Sequence, residues 1–158
     1  MEPYRLREWR VPVGRLFTCG RPGRSKWKDA SRVPEKALRD WVQNLPEGKL
    51  VVVSLLGQKP DGTSEYSFYP FRGGYDPSDE SVPTFEAWLA KHYPERGIVV
   101  REHPTVDFRP IPQETLQRAA TDIDNLLQPG ETVVLMDSGG ETRTGAVCRF
   151  LKLQEKFG

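Results

Sequence analysis

The stretch Val133-Val134-Leu135-Met136-Asp137-Ser138-Gly139-Gly140-Glu141-Thr142-Arg143-Thr144-Gly145 decides how the rest of the chain is read. An apolar run stops abruptly at Asp137. Two glycines follow within a short polar loop, and Ala146, Val147, Phe150 and Leu151 then recur at helical spacing. The segment 131–157 therefore reads as strand, loop and helix. Such a turn makes an anion cradle: backbone N–H groups converge, the helix dipole favours negative charge, and glycine lets the backbone approach an oxyanion closely. The loop Ser138, Gly139, Gly140, Glu141, Thr142 would bind phosphate through its backbone. Arg143, at the helix start, would fold its guanidinium fork over the same anion.

Working outward, Pro129-Gly130 closes a preceding helix over Gln113–Gln128, whose Leu116, Ala119, Ala120, Ile123, Leu126 and Leu127 follow the 3.6-residue period. Leu50–Leu56 is continuously apolar, as in a parallel strand covered on both faces. Gly97-Ile98-Val99-Val100 reads as another buried strand. These two are expected to flank Val133–Met136, the central strand. A helix is predicted from Pro34, with Ala37, Leu38, Trp41, Val42 and Leu45 on one stripe, and a shorter one carries Phe85, Trp88, Leu89 and His92. His92 on that stripe reads as a packed residue rather than a catalyst. Residues 1–20 suggest short strands broken by Pro12 and Gly14. Gly57–Asp79 reads as a surface excursion whose Tyr66, Phe68, Tyr69, Phe71 and Tyr75 either wall a ligand or pack on the sheet. Arg21-Pro22-Gly23-Arg24-Ser25-Lys26 is a basic turn, either solvated or helping to hold an acidic ligand. Together these predict an α/β fold with a central, mostly parallel sheet flanked by helices.

The 158 residues suffice for one domain, 1–158, with its own core. A net charge of +1 argues against nucleic acid as the main partner. No apolar run approaches the length of a membrane span, and the charged N-terminus does not read as a signal peptide, so no membrane partner and a cytoplasmic setting are expected. Cys19 and Cys148 stand in unrelated contexts and suggest neither a disulfide framework nor a zinc site, and no cofactor or metal is expected.

Asp137, five residues, then Arg143-Thr144-Gly145 resembles the signature loop of the cysteine-dependent protein tyrosine and dual-specificity phosphatases: His-Cys, five residues, Arg, Ser or Thr, Gly. The glycines, arginine and Thr-Gly match, while Met136-Asp137 stands in place of His-Cys. The segment His103-Pro104-Thr105-Val106-Asp107-Phe108-Arg109-Pro110-Ile111-Pro112 is similar to that family's mobile acid loop. Gly14-Arg15-Leu16-Phe17 to Gly20-Arg21-Pro22-Gly23 and Val52-Val53-Ser54-Leu55 also resemble bacterial members. The resemblance implies a dual-specificity-phosphatase-like fold in which a cysteine thiolate, its pKa lowered by the cradle, attacks phosphorus. Mapped residue by residue, it gives the arginine role to Arg143, the thiolate-stabilising hydroxyl to Thr144 and the general acid to Asp107. The nucleophile position falls on Asp137, which has no sulfur. Asp107 could instead cap the following helix. Cys148, about a turn into the helix, reads as a buried small hydrophobe, not a substitute nucleophile.

A carboxylate at position 137 opposes phosphate. Two unit charges about 4 Å apart repel by on the order of 1 kcal/mol in water and roughly 4 kcal/mol at an effective dielectric of 20. Asp137 is expected to accept the loop's N–H groups, and with them Arg143, as a built-in anion. The resemblance then implies phosphomonoester hydrolysis lost or severely reduced. The alternatives are a pseudophosphatase that binds a phosphorylated protein, a phosphorylated small molecule or an acidic partner, and an active phosphatase using Asp137 as nucleophile with a metal. Two adjacent departures, Met136 and Asp137, lean towards natural divergence rather than a single inactivating change.

Overall fold

The computed structural model describes residues 4–24, 35–66, 68, 71 and 82–156. Five strands form one sheet: β1 (Arg7–Trp9), β2 (Arg15–Cys19), β3 (Val51–Ser54), β4 (Val99–Glu102) and β5 (Thr132–Met136), in the spatial order β1-β2-β5-β3-β4. All pairings are parallel except β1 with β2. Among the described residues four α-helices accompany them: α1 (Glu35–Asn44), α2 (Phe85–His92), α3 (Gln113–Leu126) and α4 (Thr142–Phe150). The expected α/β architecture with a mostly parallel sheet is present.

The two-residue strand period distributes β5 between two cores. Val134 and Met136 join Trp41 of α1 and Phe85 and Trp88 of α2 on one face. Val133 and Leu135 join Ala119 and Ile123 of α3 and Val147 and Cys148 of α4 on the other. Because both faces are covered, the strand carries no polar alternation, which is why it reads as a plain apolar run.

Several expectations need correction. β5 is central, but its neighbours are β2 and β3, not β3 and the Gly97–Val100 segment. β2 is buried at four of its five positions, so it can take an inner place. The Gly97–Val100 region forms an edge strand shifted to Val99–Glu102, mostly exposed, with Arg101 and Glu102 facing solvent. Its free edge is blunted where Val100 N–H donates to the Glu86 carboxylate at 2.7 Å. The helix after the loop ends at Phe150, and the chain turns back rather than running helical to 157. Glu155 bridges to Trp9, and Lys156 N–H donates to the Glu8 carbonyl at 2.8 Å.

The described part of the 57–79 segment is no simple surface excursion. Phe68 and Phe71 are buried against Phe85 and Trp88, with ring centroids 5.3–6.3 Å apart, and Glu65 is fully buried. Tyr69 and Tyr75 lie outside the described residues, as does Pro34. Arg21, expected in a solvated basic turn, is 1 % exposed, its guanidinium 3.7 Å from the centre of the Tyr66 ring.

Candidate functional site

In an open parallel sheet the loops leaving the carboxyl ends of the strands share one rim. Here β2 delivers Gly20–Arg24, β3 delivers Gly57–Tyr66, β4 delivers 103–108, and β5 delivers the glycine loop. The last sits directly on the end of β2: Asp137 N–H donates to the Cys19 carbonyl at 3.3 Å, and Arg21 N–H to the Ser138 carbonyl at 3.2 Å. Gly140 has φ of +76°, and a Cβ there would stand 2.5 Å from Gly20 N and 2.6 Å from the Cys19 carbonyl carbon. Glycine is required at that position both by conformation and by space.

Asp137 is 2 % exposed. One of its oxygens accepts the N–H of Gly140, and the other accepts those of Arg143 and Thr144, each at 3.0 Å. The carboxylate thus occupies donors at the start of α4 and inside the loop, and charge-assisted bonds of this kind are among the stronger ones. The built-in anion expected from the sequence is in place as regards the backbone groups. Its expected bond with the Arg143 side chain is not made.

Arg143 points elsewhere. Its guanidinium meets Glu65 through both nitrogens at 2.9 and 2.5 Å, Thr105 Oγ1 at 3.0 Å, the Leu55 carbonyl at 3.4 Å and Asp107 Oδ1 at 3.3 Å. Burial pulls its pKa down, but the Glu65 hydrogen bond and charge, with the charges of Asp137 and Asp107, outweigh this and hold it above the ordinary arginine value. A guanidinium so engaged by protein acceptors has little donor capacity left for a ligand.

Asp107 does come to the cradle, and it does not cap α3, whose first turn follows Pro112. Its loop is tied to the segment after β3: Gln58 bridges Val106, Asp107 N–H donates to the Gln58 carbonyl at 2.8 Å, and Thr105 Oγ1 donates to the Leu55 carbonyl at 2.6 Å. Phe108 follows with φ of +62° and stands 87 % exposed at the loop tip. Thr144 is fully buried, and its Oγ1 has no hydrogen-bond partner among the described residues.

These elements enclose a cavity of about 250 Å³. It is lined by Asp137, Ser138, Gly139, Glu141, Thr142 and Arg143 of the glycine loop and helix start, together with Arg5, Arg24, Tyr66, Asp107 and Phe108. Three arginines are matched by three carboxylates, and Arg5 is ion-paired with Glu141. Among the described residues lining the cavity there is no positive excess to draw in a dianion.

The sequence reading placed Asp137, Arg143, Asp107 and the 138–142 loop together, and they are together. It missed Glu65 and Thr105, the groups that fix Arg143. A buried arginine must find a carboxylate, and that requirement was the available signal, but it does not say which acid. Cys148 is buried in α4, its thiol pushed up to about 12 by burial, and Cys19 is buried at the end of β2. His92 is half-buried, edge-on to Trp88 at 6.1 Å. Among the described residues no group of three or more His, Cys, Asp or Glu could share a metal ion, and no helix is long and apolar enough to cross a membrane. Compared with family models, curated proteins and solved structures, the chain matches none.

Proposed function

We propose that this chain is a domain of the cysteine-dependent tyrosine and dual-specificity phosphatase kind in which phosphomonoester hydrolysis is lost or severely reduced. The observation that carries the reading is the Asp137 carboxylate, 2 % exposed, accepting three N–H groups of the loop at the position where the family's signature has its thiol. Those donors would stabilise a thiolate in the same place. A carboxylate is a weak nucleophile there because its lone pairs are engaged, and its charge repels the substrate dianion. Asp107, 3.3 Å from Arg143, supplies the candidate acid.

The test is turnover of an aryl phosphate by the chain as it stands and by Asp137→Cys, each with and without magnesium. The expected result is no appreciable turnover by the unmodified chain and metal-independent turnover by the cysteine form. Turnover by the unmodified chain only with magnesium would overturn the reading in favour of Asp137 as a metal-assisted nucleophile. A folded but inert cysteine form would also count against it. If the unmodified chain then bound a phosphorylated ligand and lost it on Arg143→Ala, a binding module for phosphorylated partners would replace it.

A further inference from the structure

The described residues lining the cradle cavity carry equal numbers of positive and negative side chains, and those lining a depression at the opposite end of the sheet do not. At the amino ends of β2 and β5, where β1 finishes and the C-terminal segment returns, lies a second depression of about 260 Å³. Its charged lining residues are Arg10, Arg15, Lys156 and Glu8. Among the described lining residues three cations thus stand against one carboxylate, in a molecule whose whole net charge is +1. Glu8 is already engaged, by Arg15 through both oxygens at 3.0 Å and by Lys156 at 3.4 Å. Arg10 donates to the Lys156 carbonyl at 3.2 Å and has no carboxylate partner among the described residues.

The backbone that carries these cations is tied to neighbouring segments by hydrogen bonds. Gly14 has φ of +71°, and a Cβ on it would stand 2.9 Å from the carbonyl oxygens of Gln128 and Glu131, so the β1–β2 turn is seated against the α3–β5 turn. Arg15 N–H donates to the Glu131 carbonyl at 2.9 Å, Arg10 N–H to the Gln154 carbonyl at 2.9 Å, and Lys156 N–H to the Glu8 carbonyl at 2.8 Å. Val11 lines the same depression. Preset cations next to a small apolar surface reduce the ordering cost of a ligand.

We propose that this depression docks an acidic peptide segment of a partner protein, a carboxylate pairing with Arg10 while an apolar side chain rests on Val11. The inference is independent of the phosphatase reading and concerns the other end of the sheet. A peptide fits better than a nucleic acid, which builds affinity from many phosphate contacts along an extended basic track. Here the positive charge gathers round one small cavity.

The probe is a fluorescein-labelled peptide of alternating glutamate pairs and valine, compared with its glutamine counterpart by fluorescence polarisation. The glutamate peptide is expected to bind, with affinity falling as salt rises, and the glutamine peptide to bind at least about tenfold more weakly. Arg10 is exposed, so Arg10→Glu should fold normally by circular dichroism yet weaken binding by at least about tenfold, with Arg10→Ala intermediate. Arg118→Ala, on the exposed face of α3, should leave it unchanged. Backbone amide shifts on titration should cluster in 8–15 and 152–156. Absence of binding, equal binding of the two peptides, an unaffected Arg10→Glu variant, or shifts centred on 137–144 would each overturn the proposal. So would equally tight binding of oligothymidylate at the same residues.

Discussion

Glu65 was invisible to sequence reasoning, and removing it tests the organisation of the cradle most directly. Glu65→Ala leaves Arg143, 5 % exposed, without its bidentate partner. Removing one member of a buried ion pair costs about 3–5 kcal/mol, because the remaining charge stays desolvated. The low end, about 3 kcal/mol, is expected here, since Asp107 already stands 3.3 Å from Arg143 and Thr105 Oγ1 3.0 Å away. For a chain of this size each kcal/mol moves Tm by about 2–4 °C, so the midpoint should fall by about 6–12 °C. Urea unfolding of the parent, Glu65→Ala, Arg143→Met and the double variant gives the decisive quantity. The double variant should be more stable than the sum of the single losses predicts, by about 2 kcal/mol. A Glu65→Ala loss below about 1 kcal/mol, or additive single losses, would refute the view that this pair organises the cradle.

Three further outcomes are expected. Gly140→Ala should destabilise the fold by roughly 1–3 kcal/mol in urea titration, since φ is +76° and the new Cβ would press on Gly20 and Cys19; a neutral result would contradict the close approach of loop and β2. Asp122 is pushed up by burial but pulled further down by its bonds to Arg101 and His103, so its pKa lies below the ordinary 3.8. Its contribution is therefore fully present above the usual carboxylate range and fades as pH falls through the lower folded value, and Asp122→Asn should flatten that acid limb of a stability–pH curve while weakening the fold near neutrality. Cys148, raised to about 12 and buried, and Cys19, equally buried, should resist Ellman's reagent at pH 8 until the protein unfolds; a fast native reaction of either thiol would show that its shell opens.

What the sequence determined by itself is what short-range physics determines. The apolar run into Asp137, the glycines and the helical period after them specify strand, loop and helix, because each depends on neighbours within a turn or two. The same is true of the capture of Gly140, Arg143 and Thr144 N–H by Asp137, which spans only seven residues. The 3.6-residue stripe of α3 was legible for the same reason. Tertiary structure decided which strands flank β5, since β2 and β4 both look like short strands and only packing on two faces separates the buried Leu16-Phe17-Thr18-Cys19 from the solvent-facing Arg101-Glu102. It chose Glu65 from 22 acidic residues as the partner of Arg143, 78 positions away, and buried Arg21 against Tyr66 where composition suggested a solvated turn. It also folded Glu155 and Lys156 back onto β1. A buried charge must be paired, but the identity of its partner depends on how distant segments meet, which no local pattern encodes.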